Sequence, residues 1–492
     1  MDQIQKNQSS VLGTNAPMLI DGELVASESG KWMDSINPAN EELLGRVPLG
    51  TKKDMDRAVA AAEKAQPAWA ALPVSKRAEY LHKLSDGLAA RAEEILQVEV
   101  MDTGNTIYKM RDDVSKAIEQ LKYFAGLGYE VKGQTVPSSP GNLHITVREP
   151  YGVVGRIIPF NHPISFAASR MAAPLIAGNT MVEKPSDQSP LSAAILAEIA
   201  QKVLPKGVVN IVTGTGAEAG DALVRHPKVK RVAFIGSVKT GMAIQKSAAE
   251  VCVKNVSLEL GGKNPMIVFP DVNVAKAARG CMMGMNLPRS MGQSCQSNSR
   301  VFVHEKIYDK FLEELLKCLA NLKVGDPTKE DTDMGALAYK GHFQRVMAYI
   351  ESGKQEGAKL AFGGGRPQGY NKGYFVQPTV FTDVDNDMKI AKEEIFGPVI
   401  SVFKWSDWDD VVKRANSVPY GLTGNIWTND ISLAYRTAKA VQSGLVWING
   451  SGGRVSGSPF GGYKESGMGK EGDLSDLLSY TQEKCVQANL QF

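Results

Sequence analysis

The stretch YGVVGRIIPFNHPISFAASRMAAPLIAGNTMVEKPSDQSP (151–190) decides the fold class. VVGRII (153–158) is a short β-branched run, a helical apolar pattern follows through 164–177, TMVEK (180–184) is a second run, and Ser189-Pro190 opens a helix over 190–204. Strand, helix and strand at these lengths make βαβ units and a parallel sheet, with ligands expected beyond the carboxyl ends of the strands. Downstream the same texture continues in VVNIV (208–212), in RVAFI (231–235) and in a helix after Ser237. A second alternating block, roughly 260–450, carries NPMIVF (264–269), a helix around 305–322, GYFVQPTVF (373–381) and VISVFKW (399–405). It reads as a second α/β domain, with the boundary near Leu258–Gly262. Upstream, MLIDGELV (18–25) reads as an edge hairpin. Two helical patterns follow it: one from Asp54 that Pro67 closes, and one N-capped by Ser75 whose apolar face runs from Leu81 to Val98, with Gly104 beyond its end.

The chain has 492 residues, enough for two or three domains and a large core. Its 56 Lys+Arg against 53 Asp+Glu leave a net charge of +3, which gives no electrostatic reason to expect nucleic acid or an anionic membrane as partner. The most apolar window, Pro163–Val182, is interrupted by Arg170 and Asn179, so no membrane span is expected. The opening MDQIQKNQSSVLGTN lacks a basic start and an apolar run, which makes the cytoplasm the default address. Five widely spaced cysteines without a C-x-x-C pair exclude a disulfide framework and a zinc site, and no metal is expected.

Four of those cysteines, Cys252, Cys281, Cys318 and Cys485, lie in apolar or helical runs and read as inert packing residues. Cys295 sits instead in MGQSCQSNSR (291–300), a polar loop of small residues that suits an accessible thiol nucleophile. Glu259 is a carboxylate embedded among Val256, Leu258 and Leu260. Desolvation there would lift its pKa toward the range of a general base, the alternative being a structural ion pair. Asn161 follows the VVGRIIPF run, where its amide could donate to a developing oxyanion or simply cap a helix. His162 beside Pro163 reads as a packed or capping residue. Gly216 and Gly220 belong to a G-x-G-x-x-x-G turn after Val212, and Gly236-Ser237 end RVAFI directly before a helix. Each turn is either a tight βα connection or half of a pyrophosphate site at a helix N-terminus.

Taken in order, PFNHP (159–163), KPSDQSPL (184–191), FIGS (234–237), LELGGKNP (258–265), GQSC (292–295), EEIFGPV (393–399) and PFGGYKESGMGKEG (459–472) resemble the motifs of the NAD(P)-dependent aldehyde dehydrogenases of the hydrolytic type. The resemblance implies a Rossmann-like cofactor domain (1–130 and 150–258), an α/β catalytic domain (259–450), a β oligomerisation element (131–149 and 478–492) and a segment returning along the active site (451–477). It also implies a homodimer or homotetramer. The roles it implies are Cys295 as nucleophile, Asn161 with the Cys295 N–H as oxyanion hole, Glu259 as general base, and Arg170 with Glu471 as a proton-relaying pair. For the cofactor it implies Lys184 and Asp187 at the adenosine ribose, Gly236 and Ser237 at the pyrophosphate, Glu394 at the nicotinamide ribose and Phe396 at the nicotinamide, with Gly216, Gly220, Phe234 and Gly261 close by. Asp187 stands where NAD users often carry Glu, so NAD is expected, with NADP possible. The Glu259-to-Cys295 spacing exceeds the usual one, and the extra residues are expected at Asn286–Ser290.

Counted from these anchors, the substrate channel is expected to involve Phe166, Ser169, Arg289, Met291, Ser294, Gln296, Ser451–Arg454 and Phe460. Arg454, with Arg289, would meet a carboxylate or other polar group of a semialdehyde acid or substituted aromatic aldehyde, or else both guanidiniums would turn to solvent or to acidic residues. The competing classes are a CoA-acylating relative, a cysteine hydrolase and a non-enzymatic binding or structural protein on the same scaffold.

Overall fold

In the computed structural model, residues 11–491 are described. Residues 1–10, on which the expectation about the address rests, and residue 492 lie outside them. No described helix is long and apolar enough to cross a membrane.

An eight-stranded sheet has the order Glu23–Val25, Met18–Ile20, Val209–Ile211, Thr180–Lys184, Val153–Ile157, Val229–Ile235, Asn255–Glu259, Gly467–Met468. Its five central strands are parallel. The chain leaves Val153–Ile157 toward one edge and returns to Val229–Ile235 on the other side, so a topological switch point, the place where open α/β sheets bind ligands, lies between these two strands. A seven-stranded sheet follows, in the order Lys359–Phe362, Thr379–Thr382, Val399–Trp405, Arg300–His304, Pro265–Val268, Thr423–Trp427, Leu445–Ile448. Only its Lys359–Phe362 edge is antiparallel. Thr135–Val136, Asn142–Pro150 and Thr481–Asn489 form a separate antiparallel sheet.

Five residues, Leu260 to Asn264, join the last parallel strand of the first sheet to the middle of the second. The carboxyl ends of the first sheet therefore face the amino ends of the second. Cys295 and Glu394 both precede strands of the second sheet, so the expectation that every motif lies at a carboxyl end holds only for the first.

Several local expectations are corrected. Pro67 does not close its helix, which runs Lys52–Ala70 from a Thr51–Asp54 capping box. The next helix starts at Val74 after Pro73 and not at a Ser75 cap. It stops at Ala90, and Ala92–Thr103 is a separate helix ended by left-handed Gly104. Within GYFVQPTVF only Thr379 onward is strand. Of the four cysteines read as packed, only Cys281 is fully buried, and Cys485 is exposed.

Helix Pro163–Ile176 carries Phe166, Ser169 and Arg170 and is buried along nearly its whole length. Its carboxyl end is fastened from outside: Trp69 Nε1 donates to Leu175 O at 3.0 Å and Arg77 Nε to Ile176 O at 2.9 Å. Arg77 also donates to Ala70 O at 3.1 Å, so one guanidinium satisfies the last carbonyls of two helices. Arg77→Met should lower unfolding free energy by about 2–3 kcal/mol in urea titration, because it strands buried carbonyls that were bonded to a charged donor.

Candidate active site

The cleft between the sheets encloses about 420 Å³ and is lined by Asn161, Glu259 and Cys295 together with Lys184, Asp187, Ser237, Glu394 and Phe396. Phe166, Gly216, Phe234, Gly236 and Gly261 also line it, whereas Gly220 lies buried behind.

Asn264 sets the Cys295 loop. Its Nδ2 donates to Cys295 O at 2.7 Å and to Ser297 O at 2.9 Å, while its Oδ1 accepts from Thr423 N at 3.0 Å. Gly262 permits this approach, since a Cβ there would stand 2.6 Å from Cys295 O. Asn161 belongs to the same assembly: its Nδ2 donates to Gln293 O at 3.0 Å and its own carbonyl accepts from Asn105 Nδ2 at 2.8 Å. One amide hydrogen is thereby committed to the loop, and among the described residues the second has no acceptor, on a side chain that lines the cleft. The helix cap is His162, not Asn161.

Cys295 is partly exposed, yet the thiol is pushed up to about 12, first by burial of the sulfur and then by Glu394, with Arg454 acting the other way. Glu259 ends its strand with both carboxylate oxygens lacking a hydrogen-bond partner among the described residues. Burial and then the nearby Glu471 raise its carboxyl well above the ordinary range. Glu471 behaves oppositely. Burial pushes it up, but Arg170 and Arg156 outweigh burial and hold it below its ordinary value, with contacts of 3.0 and 2.6 Å. Of this pair Glu259 is thus the carboxyl that holds its proton more tightly, and Glu471 the one whose charged form is favoured.

The opposite wall is built by a helix that carried no candidate residue. Lys340–Gln355 brings His342 Nε2 to Phe396 O at 2.7 Å and Arg345 Nη2 to Glu394 O at 2.7 Å. Burial takes His342 down to about 4, so the ring is neutral and donates from Nε2 to the carbonyl. Phe396 itself has φ of 60°, a left-handed backbone that these two donors help to hold. Glu394 accepts from Gly262 N at 2.9 Å and its carboxylate packs against Gly261. Tyr339, His342 and Arg345 recur at three-residue steps. That spacing was the available sequence signal for a helix face turned toward the cleft.

On the far side of Phe166 a second cavity, about 110 Å³, is lined by Ser169, Arg170 and Arg454 and by Lys116 and Gln120 of helix Ile107–Leu127. Phe460 lies beneath Arg454, whose guanidinium sits 4.3 Å over the ring. Arg289 does not line this cavity; it bonds Asp113 at 2.7 Å from the short helix Leu287–Ser290. Met291 is buried and Ser294 bonds the Gln296 N–H, so neither they nor Gln296 line this cavity.

The profile of the aldehyde dehydrogenase family matches residues 24–486. The chain belongs to the aldehyde dehydrogenase family. It is 41% identical over 478 residues to the aldehyde dehydrogenase tropH of Talaromyces stipitatus, covering 94% of this chain and 92% of that protein. An aldehyde dehydrogenase of Aspergillus niger is also 41% identical, over 96% of this chain and 95% of the relative. Among solved structures, the NAD+ complex of a Bacillus cereus aldehyde dehydrogenase superposes with a TM-score of 0.95 at 41% identity over 98% of each chain. Betaine aldehyde dehydrogenase of Staphylococcus aureus in complex with NAD+ has a TM-score of 0.94 at 35% identity, covering 97% of this chain and 95% of the other. The two-sheet architecture is thus the aldehyde dehydrogenase fold, of the α/β class.

The raised Cys295 thiol has a kinetic signature in the enzyme without ligands. Alkylation of Cys295 by iodoacetamide, followed by peptide mass spectrometry, should accelerate about tenfold per pH unit from neutrality with no plateau below about pH 10. A plateau near neutral pH would mean that the thiolate is already formed.

Proposed function

We propose that the protein oxidises an aldehyde to a carboxylic acid with NAD, Cys295 being the nucleophile. The observation that carries this reading is the convergence of Cys295, Asn161 and Glu259 in a single cleft with the residues that fit a dinucleotide. That fit rests on three features. Helix Val238–Ala249 begins at Ser237 at the switch point and points its free N–H groups at the cleft, which suits a pyrophosphate. Lys184 and Asp187 can take ribose hydroxyls, and Glu394 with Phe396 forms the end nearest Cys295. NAD, when bound there, supplies the hydride acceptor.

The chain's own groups do the remaining chemistry. Cys295 sulfur, once deprotonated, adds to the carbonyl carbon of the aldehyde. The alkoxide oxygen that results is met by the free Asn161 amide hydrogen and the Cys295 N–H, fixed donors whose loss costs about 2.7–4 kcal/mol of barrier. Departure of hydride from that carbon leaves a thioester. Glu259 then takes a proton from water as it attacks the acyl carbon, the carbon–sulfur bond breaks and the acid leaves. Among the described residues Glu259 has no hydrogen-bond partner, and its pKa is raised, which makes it a strong base once ionised. Arg170 and Glu471 extend behind it as the pair through which its proton is passed outward. The side of the cavity where Arg454 lies is the substrate side, and an acidic or polar-substituted aldehyde fits it better than a cationic one.

We assign residues up to 130 and 150–258 to cofactor binding, 259–450 to catalysis and 451–477 to the segment returning along the site. The sheet of Asn142–Pro150 and Thr481–Asn489 leaves Leu143 and Val486 exposed, which supports a homodimer or homotetramer built through this element.

The test is NADH formation followed by absorbance. Cys295→Ala should lose all but about a thousandth of the rate on any aldehyde. Glu259→Gln should still release NADH in a burst close to the enzyme concentration and then stall, because only thioester hydrolysis is removed. Loss of the burst together with the steady state would assign Glu259 to the first half-reaction instead. Asp187→Ala should raise kcat/KM for NADP relative to NAD by about tenfold, since it removes a charge that repels a ribose phosphate.

A further inference from the structure

Phe166 separates the Cys295 cleft from the smaller outer cavity, touching both. Several cations converge on that outer side, and most of them are already neutralised. Arg170 is paired with Glu471 at 3.0 Å. Asp113 takes Arg289 at 2.7 Å through one carboxylate oxygen and His162 at 2.5 Å through the other. Lys116 and Arg454 are different: among the described residues neither forms an ion pair, and both line the cavity. They come from opposite walls, Lys116 from helix Ile107–Leu127 and Arg454 from the segment following Leu445–Ile448.

Arg454 is placed rather than loose. Its guanidinium lies 4.3 Å over the Phe460 ring, and Phe460 is itself bonded to Glu471 by backbone hydrogen bonds of 2.9 and 2.7 Å in both directions. Contact with the ring holds the guanidinium in place, and among the described residues none of its N–H groups has a hydrogen-bond partner, which leaves them available to grip a carboxylate through two oxygens. Burial and then Arg289 depress the Lys116 ammonium, Asp113 acts the other way, Arg454 adds to the depression and Asp112 opposes it, so Arg454 is among the charges that Lys116 feels. Glu119, a carboxylate in the same wall, is exposed, as are Lys116 and Arg454, so the cavity opens to solvent on the side where these groups lie. Like charges held across a small cavity repel, and an anion between them removes that repulsion.

We propose that Lys116 and Arg454 form a clamp for a carboxylate on the aldehyde substrate, at the end remote from the reacting carbon. The inference rests on the aldehyde-oxidising reading of Cys295. Arg289, which the sequence had paired with Arg454, is excluded from the clamp by its bond to Asp113, and Lys116 takes its place. A cavity of about 110 Å³ admits a short carboxylated chain or a carboxylated ring, not a long acyl chain.

The experiment compares kcat/KM for 4-oxobutanoate with that for butanal, and for 4-formylbenzoate with that for benzaldehyde, using wild type, Lys116→Met, Arg454→Met, Arg454→Lys and the double Met variant. Wild type should prefer the acid of each pair. The preference ratio should fall at least tenfold in each Met variant, through KM of the acid, fall further in the double variant, and be partly kept in Arg454→Lys. Raised ionic strength should weaken the preference of the wild type most, that of Arg454→Lys less, and leave the double Met variant unchanged. Calorimetric binding of succinate against butanoate to the same proteins is measured in parallel. Neutral and acidic aldehydes losing rate equally, or a preference ratio unchanged in the double variant, overturns the clamp while leaving aldehyde oxidation intact. Selective succinate binding that needs both residues, in a protein that oxidises no aldehyde, upholds the anion clamp and overturns the reading on which its substrate assignment rests.

Discussion

The side-chain amide of Asn264 is the hinge on which the site is hung. It sits at the seam between two sheets and bonds Cys295 O, Ser297 O and Thr423 N at once. The acceptors are carbonyls of a loop buried away from water, where an unmade bond costs about 1–3 kcal/mol. No regular secondary structure supports the Cys295 loop, so its shape is borrowed from a side chain that precedes strand Pro265–Val268. The alignment of Cys295 with Asn161 depends on the same loop, because Asn161 is anchored to Gln293 O within it.

A second constraint is electrostatic. Arg156 is almost fully buried and reaches Glu471 at 2.6 Å and the Tyr480 hydroxyl at 2.8 Å, joining the first sheet to the returning segment and to the start of the last strand. Breaking such a pair by deleting one partner leaves an uncompensated buried charge, which is far costlier than never having built the pair. By fixing Glu471 as the charged carboxyl, the network leaves Glu259 as the one with the raised pKa. The division of labour between two neighbouring carboxyls is therefore set by which of them the arginines can reach.

The βαβ alternation after residue 150 was legible because each strand is a short β-branched run closed by a turn, and Cys295, Glu259 and Asn161 stood out as polar residues in unusual company. Their meeting in one cleft was implied by the family resemblance and not by their own pattern, since it depends on the carboxyl ends of one sheet facing the amino ends of another. Helix Lys340–Gln355 was missed because its contribution is two side chains bonding backbone carbonyls of Glu394 and Phe396, which leaves no motif. For Arg289 the sequence left two outcomes open, a substrate contact or an acidic partner, and the structure has the acidic partner. Its proximity to Cys295 in sequence is real, but Asp113, far upstream, decides where the guanidinium points. The break at Arg91 also escaped periodicity, since the helices on either side keep one apolar face in phase.

Strand Gly467–Met468 closes the first sheet by pairing with Leu258 and Glu259, and Thr481–Asn489 closes the small sheet against Asn142–Pro150. A ribosome delivers these two strands after all the other described strands. Until then the edge that carries Glu259 is an open row of unpaired backbone groups, a template for pairing with the wrong chain. The nascent polypeptide therefore holds its thiol, its amide and both sheets long before it holds a finished site. Chemistry on reactive aldehydes is withheld until residues 467–489 have been made, and a chain cut short before them would be a folding hazard rather than a partial enzyme.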